Sequence, residues 1–369
     1  MALTAAMGSG IAGLRAFMDA LNVVGNNVAN VNTYGYKAGR VTFKESIYST
    51  QSAGSASTNT TGGTNPNQIG YGSSVGTIDL DMSTQALEST GMATDVAIQG
   101  DGFFLLGDKN GVGVDGLNSL MFSRVGNFKI DDDGYLTDGA GNIVYGFVMT
   151  TGAQKTNAAG ENNGAQTSAP GTSAGVVSTQ LVPIRLPLAG DGTNGADEGA
   201  AIYPGVKGDG TNDPVVVGTT AGATNSCIKY ENLQIDNSGK VTCTNSMTDE
   251  IVTIGYIALG SVTNPAGLTH TDGPYYQATD SAGDIAISTP KSSLTGQLNN
   301  GVLPAGVATL PSLLASSGTG VMSGYLEQSG TDLAQEFANM IIYQRGYQAN
   351  TRIVTVTDTM LEELINMKR

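Results

Sequence analysis

The residues that could do chemistry are few. His270 is the only histidine of 369 residues, and Cys227 and Cys243 are the only cysteines. A lone imidazole in the turn-like stretch "GLTHTDGP", with no cysteine or carboxylate at ligand spacing, makes no transition-metal site. It reads as a solvated loop residue. The stretch "KIDDDGYLTD" has the look of a calcium loop. Aligning Asp131 and Asp133 with the third and fifth positions puts Gly134 correctly at the sixth, but Lys129 then stands first and Ala140 last. Both outer ligands are missing, so the stretch reads as a tight turn with aspartates capping backbone N–H groups. No Gly-x-Ser-x-Gly elbow is present, and "IQGDGFF" lacks a dinucleotide fingerprint. The residues support neither an enzyme nor a cofactor or metal site.

The cysteines flank a hairpin, "CIKYENLQIDNSGKVTC", that turns at Asp236-Asn237-Ser238-Gly239. A turn there sets Cys243 opposite Asn232 rather than Cys227. Two unpaired thiols are one reading, and a disulfide in another register is the other. Polar side chains cluster elsewhere. Asn26, Asn27 and Asn30 fall at the end of an apolar repeat formed by Ile11, Leu14, Met18, Leu21 and Val28. Asparagine is a poor helix former that offers both donor and acceptor. One such residue is a helix cap, but three suggest either an exposed polar face or amides buried between helices. Arg345 and Asn350, with Gln344 and Gln348, are polar groups on the far helix that could meet them.

The elements that carry these groups follow from periodicity. Residues 4–30 read as one amphipathic helix. Residues 31–69 are an extended crossing that includes the low-complexity loop "QSAGSASTNTTGGTNPN". From Gly70 the period changes to two, with Ile78, Leu80 and Met82 alternating with polar residues. Short apolar runs separated by Gly and Asp turns continue to about 147 and mark a β domain. Residues 148–250 are rich in Gly, Asn and Thr and read as a second β domain with long loops. Dense strand character resumes at "EIVTIGYIALGSV", and 301–320 is a Gly/Pro/Ser connector. From Asp332 to Lys368 there is no proline and one glycine, Gly346. The chain is therefore multi-domain and mainly β, with helices at its two ends.

Those helices pose a packing problem. The C-terminal one carries Leu333, Phe337, Met340, Tyr347, Val354, Leu361 and Ile365 on one stripe, and Ile353, Val356, Met360, Leu364 and Met367 on another. Two helices need one seam each, so a second stripe wants a further neighbour. The alternatives are an intrachain hairpin with a broad face and packing among copies of this chain. The net charge of −15 makes nucleic acid and anionic membrane poor partners. No run approaches the roughly 20 apolar residues of a membrane span. The first residues lack the basic segment of a cleaved secretion signal.

Two terminal stretches bear a resemblance. "NVVGNNVANVNTYGYKAGRVTF", with Asn26, Asn27, Asn30, Thr33, Gly35, Tyr36 and Lys37, resembles the N-terminal signature of the bacterial flagellar rod and hook proteins. The stretch 329–369 is similar to their C-terminal helix, with Gln344, Arg345, Tyr347 and Asn350 at matching places. "GTNPNQIGYGSSVGTIDLDMSTQALESTGMATDVAIQGDGFFLL", "FSRVGNFKIDDDGYLTDGAGNIVYGF" and "IALGSVTNPAGLTHTDGPYYQATDSAGD" resemble intervening segments of that family. "SGTDL" departs from it, standing where Asn-Val commonly follows the serine, and the connector 285–322 is longer than usual. The resemblance implies a helical coiled-coil tube domain from 1–30 and 326–369, an inner β domain from 70–147 and 251–325, and an outer β domain inserted at 148–250. It implies a structural subunit of the flagellar hook, a self-assembling tubular polymer that passes motor torque from rod to filament. The insertion favours the hook over the distal rod. Implied partners are further copies of the chain, the distal rod protein, the hook-cap and hook-filament junction proteins, and the export apparatus. The implied location is extracellular, reached without a cleaved signal. A secreted β-rich adhesin is the competing class.

Overall fold

The computed structural model describes residues 2–57, 62–109, 120–150, 176–177, 181–190, 198–199, 201–202, 205–206, 216–217, 223–290 and 319–367. Most of the expected connector 301–320, and much of 150–224, lies outside the described residues. The protein is mainly β, with one long helix near each end, Ala2–Ala29 and Leu333–Met367. It divides into two compact units. One comprises residues 1–81 and 329–369, the other residues 82–328.

In the first unit the helices form an antiparallel pair, and the chain between them makes a two-part ribbon. Strand β1 (Gly39–Glu45) pairs with β4 (Ser73–Leu80), and β2 (Tyr48–Ser52) pairs with β3 (Asn67–Gly70), both antiparallel. Antiparallel pairing therefore reaches into the stretch 51–67, expected as loop or crossing, from both its ends. Its polar residues pair across it: Gln68 donates to the Thr50 hydroxyl at 3.0 Å, and the Ser55 and Thr64 hydroxyls meet at 2.9 Å. Composition of that kind hides a strand, because nothing in it alternates. Phe43 of β1 stands against Phe17 and Tyr343 of the two helices, with ring centroids 5.6 and 5.9 Å away.

The second unit is built on a large antiparallel sheet. Its main path runs through Tyr230–Ile235, Lys240–Asn245, Ile251–Ile257, Ile143–Thr150, Phe103–Gly107, Met121–Ser123, Tyr275–Gln277 and Thr269–His270. Val96, Phe104, Leu106, Val144, Val241, Ile254 and Leu259 fill its core, all nearly inaccessible. Phe104 meets Phe128 edge to face at 5.0 Å. The strands on either side of residue 250 pair with each other, and Ile251–Ile257 pairs with Ile143–Thr150. The chain from 151 to 250 thus leaves from and returns to two neighbouring strands, and the boundaries expected at 147/148 and 250/251 fall inside one continuous sheet.

The turn at 131–134 forms as its residues require. The Gly134 N–H donates to the Asp131 carbonyl at 2.8 Å with Gly134 at φ 83°, and Asp131 Oδ1 accepts the Asp132 N–H at 2.7 Å. Lys109 closes on Asp131 and Asp133 from outside. Both thiols are free. Cys243 pairs across from Val252, and Cys227 lies across from Leu188 in a separate three-stranded sheet. On its other side Cys243 faces a bulge, where Asn232 takes φ 48°. His270 ends an exposed strand instead of lying in a loop, its ring edge-on to Tyr276 at 5.0 Å.

Candidate self-assembly surface

The helix pair is held by small residues. Along the N-terminal helix Gly10, Gly13, Ala20, Val24 and Asn27 are buried and Phe17 is partly so, at alternating steps of three and four. This is the spacing of a coiled-coil seam. Facing it are Glu336, Met340, Tyr343, Gly346, Asn350, Val354, Thr357 and Leu361. A Cβ on Gly346 would stand 2.6 Å from the Phe17 ring, and one on Gly13 would stand 2.9 Å from the Asn350 amide. Phe17 therefore fills the place of the missing side chain at the only glycine of the C-terminal helix. Thr357 is buried in the pair, and its hydroxyl is satisfied by the Ile353 and Val354 carbonyls, at 2.9 and 2.8 Å.

The large apolar residues expected in the seams are distributed differently. Ile11, Leu14, Leu21 and Val28 are partly buried, while Met18 is 49% exposed. Met340, Val354 and Leu361 are partly buried, but Leu333, Tyr347, Phe337 (51%) and Ile365 (68%) face solvent. The second stripe, Ile353, Val356, Met360, Leu364 and Met367, is exposed throughout, and Ile341 and Ile342 (60%) extend it. A side-chain count finds bulk, but an intrachain seam needs close backbone approach, so glycine and alanine occupy it and the bulk is left outward. The single mid-helix glycine was the signal available for that seam.

The asparagines divide their work. Asn27 is 1% exposed. Its amide donates to the Gly39 carbonyl at 2.8 Å and to Glu336 Oε1 at 3.0 Å. Its oxygen accepts the Gly39 N–H at 2.9 Å and the Tyr36 hydroxyl at 3.0 Å. Asn30 donates to the Asn26 carbonyl and side-chain oxygen, both at 2.9 Å, and accepts from the Thr33 hydroxyl at 3.2 Å. This ladder closes the helix end, after which Gly35 takes φ 68°. Lys37 is buried just beyond it. The expected partners were otherwise. The antiparallel pairing sets Asn27 against Glu336, near the start of the C-terminal helix, so Glu336 is the residue it meets. Asn350 lies several turns away over Gly13, bonding back to the Gly346 carbonyl at 2.9 Å. Gln344, Arg345 and Gln348 are exposed. Burial, and then the Glu336 charge, raise the Tyr36 and Tyr343 hydroxyl pKa values above their usual range.

Among the described residues no group of three or more potential ligands could hold a metal ion, and no helix is long and apolar enough to cross a membrane. Similar proteins are known. A flagellar basal-body rod protein of Bacillus subtilis is 32% identical over 362 residues, covering 98% of each chain. The chain belongs to the flagellar rod and hook protein family. Family descriptions match at both ends, "Flagella basal body rod protein" over residues 7–37 and "Flagellar basal body rod FlgEFG protein C-terminal" over 322–367. The flagellar hook protein of Borreliella burgdorferi is 28% identical over 470 aligned positions and that of Salmonella typhimurium 27% over 446, with 97–98% of each chain covered. Both alignments exceed the 369 residues of this chain, so those hook proteins carry insertions that it lacks. Members of this family are structural components of the flagellum.

Proposed function

We propose that this chain is a subunit of the flagellar hook, polymerising through its terminal helices into a tube that transmits torque while it bends. The observation that carries the reading is the C-terminal helix itself. It is already paired along one face, yet eight or more large apolar side chains on its other faces stay open to solvent. An exposed apolar stripe of that length is a binding surface, and further copies of the chain supply complementary stripes without another component. In this reading residues 1–30 and 326–369 form the tube, and the seams named above are its self-assembly sites. The strands of 82–325 form the β body, with 148–250 as an excursion rooted between two adjacent strands. The subunit acts outside the cell and meets rod, cap and junction proteins at the ends of the polymer. The polar Ser/Thr/Asn/Gly surface of the excursion suits contacts that exchange with water as the tube bends.

A distal rod subunit is the second reading, favoured by the 32% identity to a rod protein. Electron microscopy of basal bodies from a strain lacking the gene separates them. A complete rod without a hook supports the hook reading, and a truncated rod supports the other. Purified full-length chain that stays monomeric at high concentration and binds glycans would remove both in favour of an adhesin.

A further inference from the structure

The β unit is entered and left at one place. Its chain comes in at residue 82 and goes out at residue 328. Leu87–Ser89 pairs antiparallel with Tyr325–Glu327, and Val96–Gln99 pairs antiparallel with Gly320–Ser323. Gly324, at φ 76°, makes the corner between the two outgoing strands. It donates to the Asp95 carbonyl at 2.7 Å and accepts the Thr90 N–H at 2.9 Å. Residues 319–328 thus lie as a strap along the incoming chain. Val321 and Leu326 are buried under it, and Val321 joins the main core. At the far end the Thr319 hydroxyl donates to the Asp101 carbonyl at 3.1 Å, and in the middle the Ser323 N–H reaches Asn237 Oδ1 at 3.3 Å.

The near end of the strap holds a buried ion pair. Glu327 is 1% exposed and Arg124 2%. Arg124 Nη1 donates to Glu327 Oε2 at 3.4 Å, joining residues 203 apart in the chain. The guanidinium lies over the Phe103 ring, 5.3 Å from its centroid, and its Nε is buried without a hydrogen bond. Glu327 Oε1 accepts the Gln85 N–H at 2.8 Å, and the next residue, Gln328, donates its N–H to the Ala86 carbonyl at 2.9 Å. One carboxylate therefore grips both the incoming chain and the core. Losing either member of such a pair leaves the other charge without a partner in a dry site. Hydrogen bonds between antiparallel strands run perpendicular to them. Drawing residues 82 and 328 apart would load these bonds one at a time from Gln328 inward, and Glu327 stands next in line. We infer that residues 319–328 open and close as one strap, and that the Arg124–Glu327 pair is the clasp that holds its end to the incoming chain. The inference concerns the β unit alone and stands whichever flagellar structure the subunit builds.

Native-state hydrogen exchange on the full-length, unassembled chain tests it. In the parent, the amides of Thr90, Gly324 and Gln328 should exchange together and ahead of those of Ile257 and Ala258 in the main sheet. Arg124→Met leaves the carboxylate buried alone. Glu327→Gln leaves the guanidinium alone while keeping an acceptor for Gln85. Each should speed exchange at the three strap amides by about a hundredfold, with Ile257 and Ala258 unchanged. The double variant removes both charges and should return to within about tenfold of the parent, because residues in contact are non-additive. If the strap amides of the parent exchange only when Ile257 does, there is no separate strap; that measurement decides the matter even where a variant fails to fold. Single variants that speed all five amides alike, that leave the strap amides unchanged, or whose effects add in the double variant would overturn the clasp.

Discussion

The two units of this protein solve the same problem in opposite ways. In 82–328, rows of Val, Ile, Leu and Phe close on one another, and side chains such as Phe104, Leu105, Ile98 and Val144 are wholly removed from water. In 1–81 and 329–369, the buried line is mostly Gly, Ala, Val and Asn, while Phe337, Ile342, Leu364 and Met367 stand outside. The first arrangement is a finished core. The second places small residues where its own helices touch and leaves its bulk for something else to cover. Burial of apolar bulk is complete within one unit, and in the other much of it is left open.

The largest expected effect follows from that contrast. Deleting residues 1–30 and 330–369 should abolish polymerisation and leave a monomer of 31–329 in which the 82–328 unit stays folded. Sedimentation together with circular dichroism reads both halves, and a truncated chain that still forms fibres would erase the distinction. Next, Phe104→Ala should destabilise the β unit by about 3–5 kcal/mol through the cavity it leaves, seen in denaturant unfolding, whereas Phe337→Ala should leave the unassembled chain's unfolding unchanged and weaken assembly. Gly346→Ala sets a methyl group against the Phe17 ring and should loosen the helix pair by about 1–3 kcal/mol, with near-full recovery on adding Phe17→Leu. Asn27→Ala leaves the Gly39 backbone groups and Glu336 without their partner and should cost about 1–3 kcal/mol, measured as lost hydrogen-exchange protection at Gly39.

The smallest effect concerns pH. Burial pushes the Cys243 thiol up from 9.0 to about 11. A folded-state pKa above the unfolded one contributes stability below about 9 that is lost as pH rises toward 11. Unfolding midpoints of the β unit should therefore fall over that window, and Cys243→Ala should flatten part of the slope. At pH 8 a thiol reagent should label Cys227, which is partly exposed, well before Cys243.

What could be read from the residues was whatever local chemistry determines. Helices at both ends follow from 3.6-residue periodicity and the absence of proline after Asp332. The turns at Gly134 and Gly239 follow from an aspartate three residues before a glycine that must take positive φ, observed at 83° and 73°. Pairings between distant parts of the chain were not legible. Seam direction could not be read from bulk, since Gly13 and Gly346 give no hydrophobic signal. The partner of Asn27 is Glu336, an ordinary helix-start glutamate until the antiparallel register is known. The β2–β3 hairpin is written in Ser, Thr and Gln, whose pattern is indistinguishable from loop. The strands on both sides of residue 250 pair with each other, and neighbours from residues 103–150 continue the same sheet across the expected boundary.

The bonds of Asn27 have a mechanical meaning. One carboxamide grips the first strand of the ribbon through both backbone groups of Gly39 and, with the same nitrogen, the opposing helix through Glu336. Neither helix can slip along the other by even one residue without letting go of the strand root as well. A pull on the C-terminal rod of this pair is thus handed to the ribbon through one short carboxamide side chain, over hydrogen bonds on the order of 3 Å, and the three segments shift as one lever or part together.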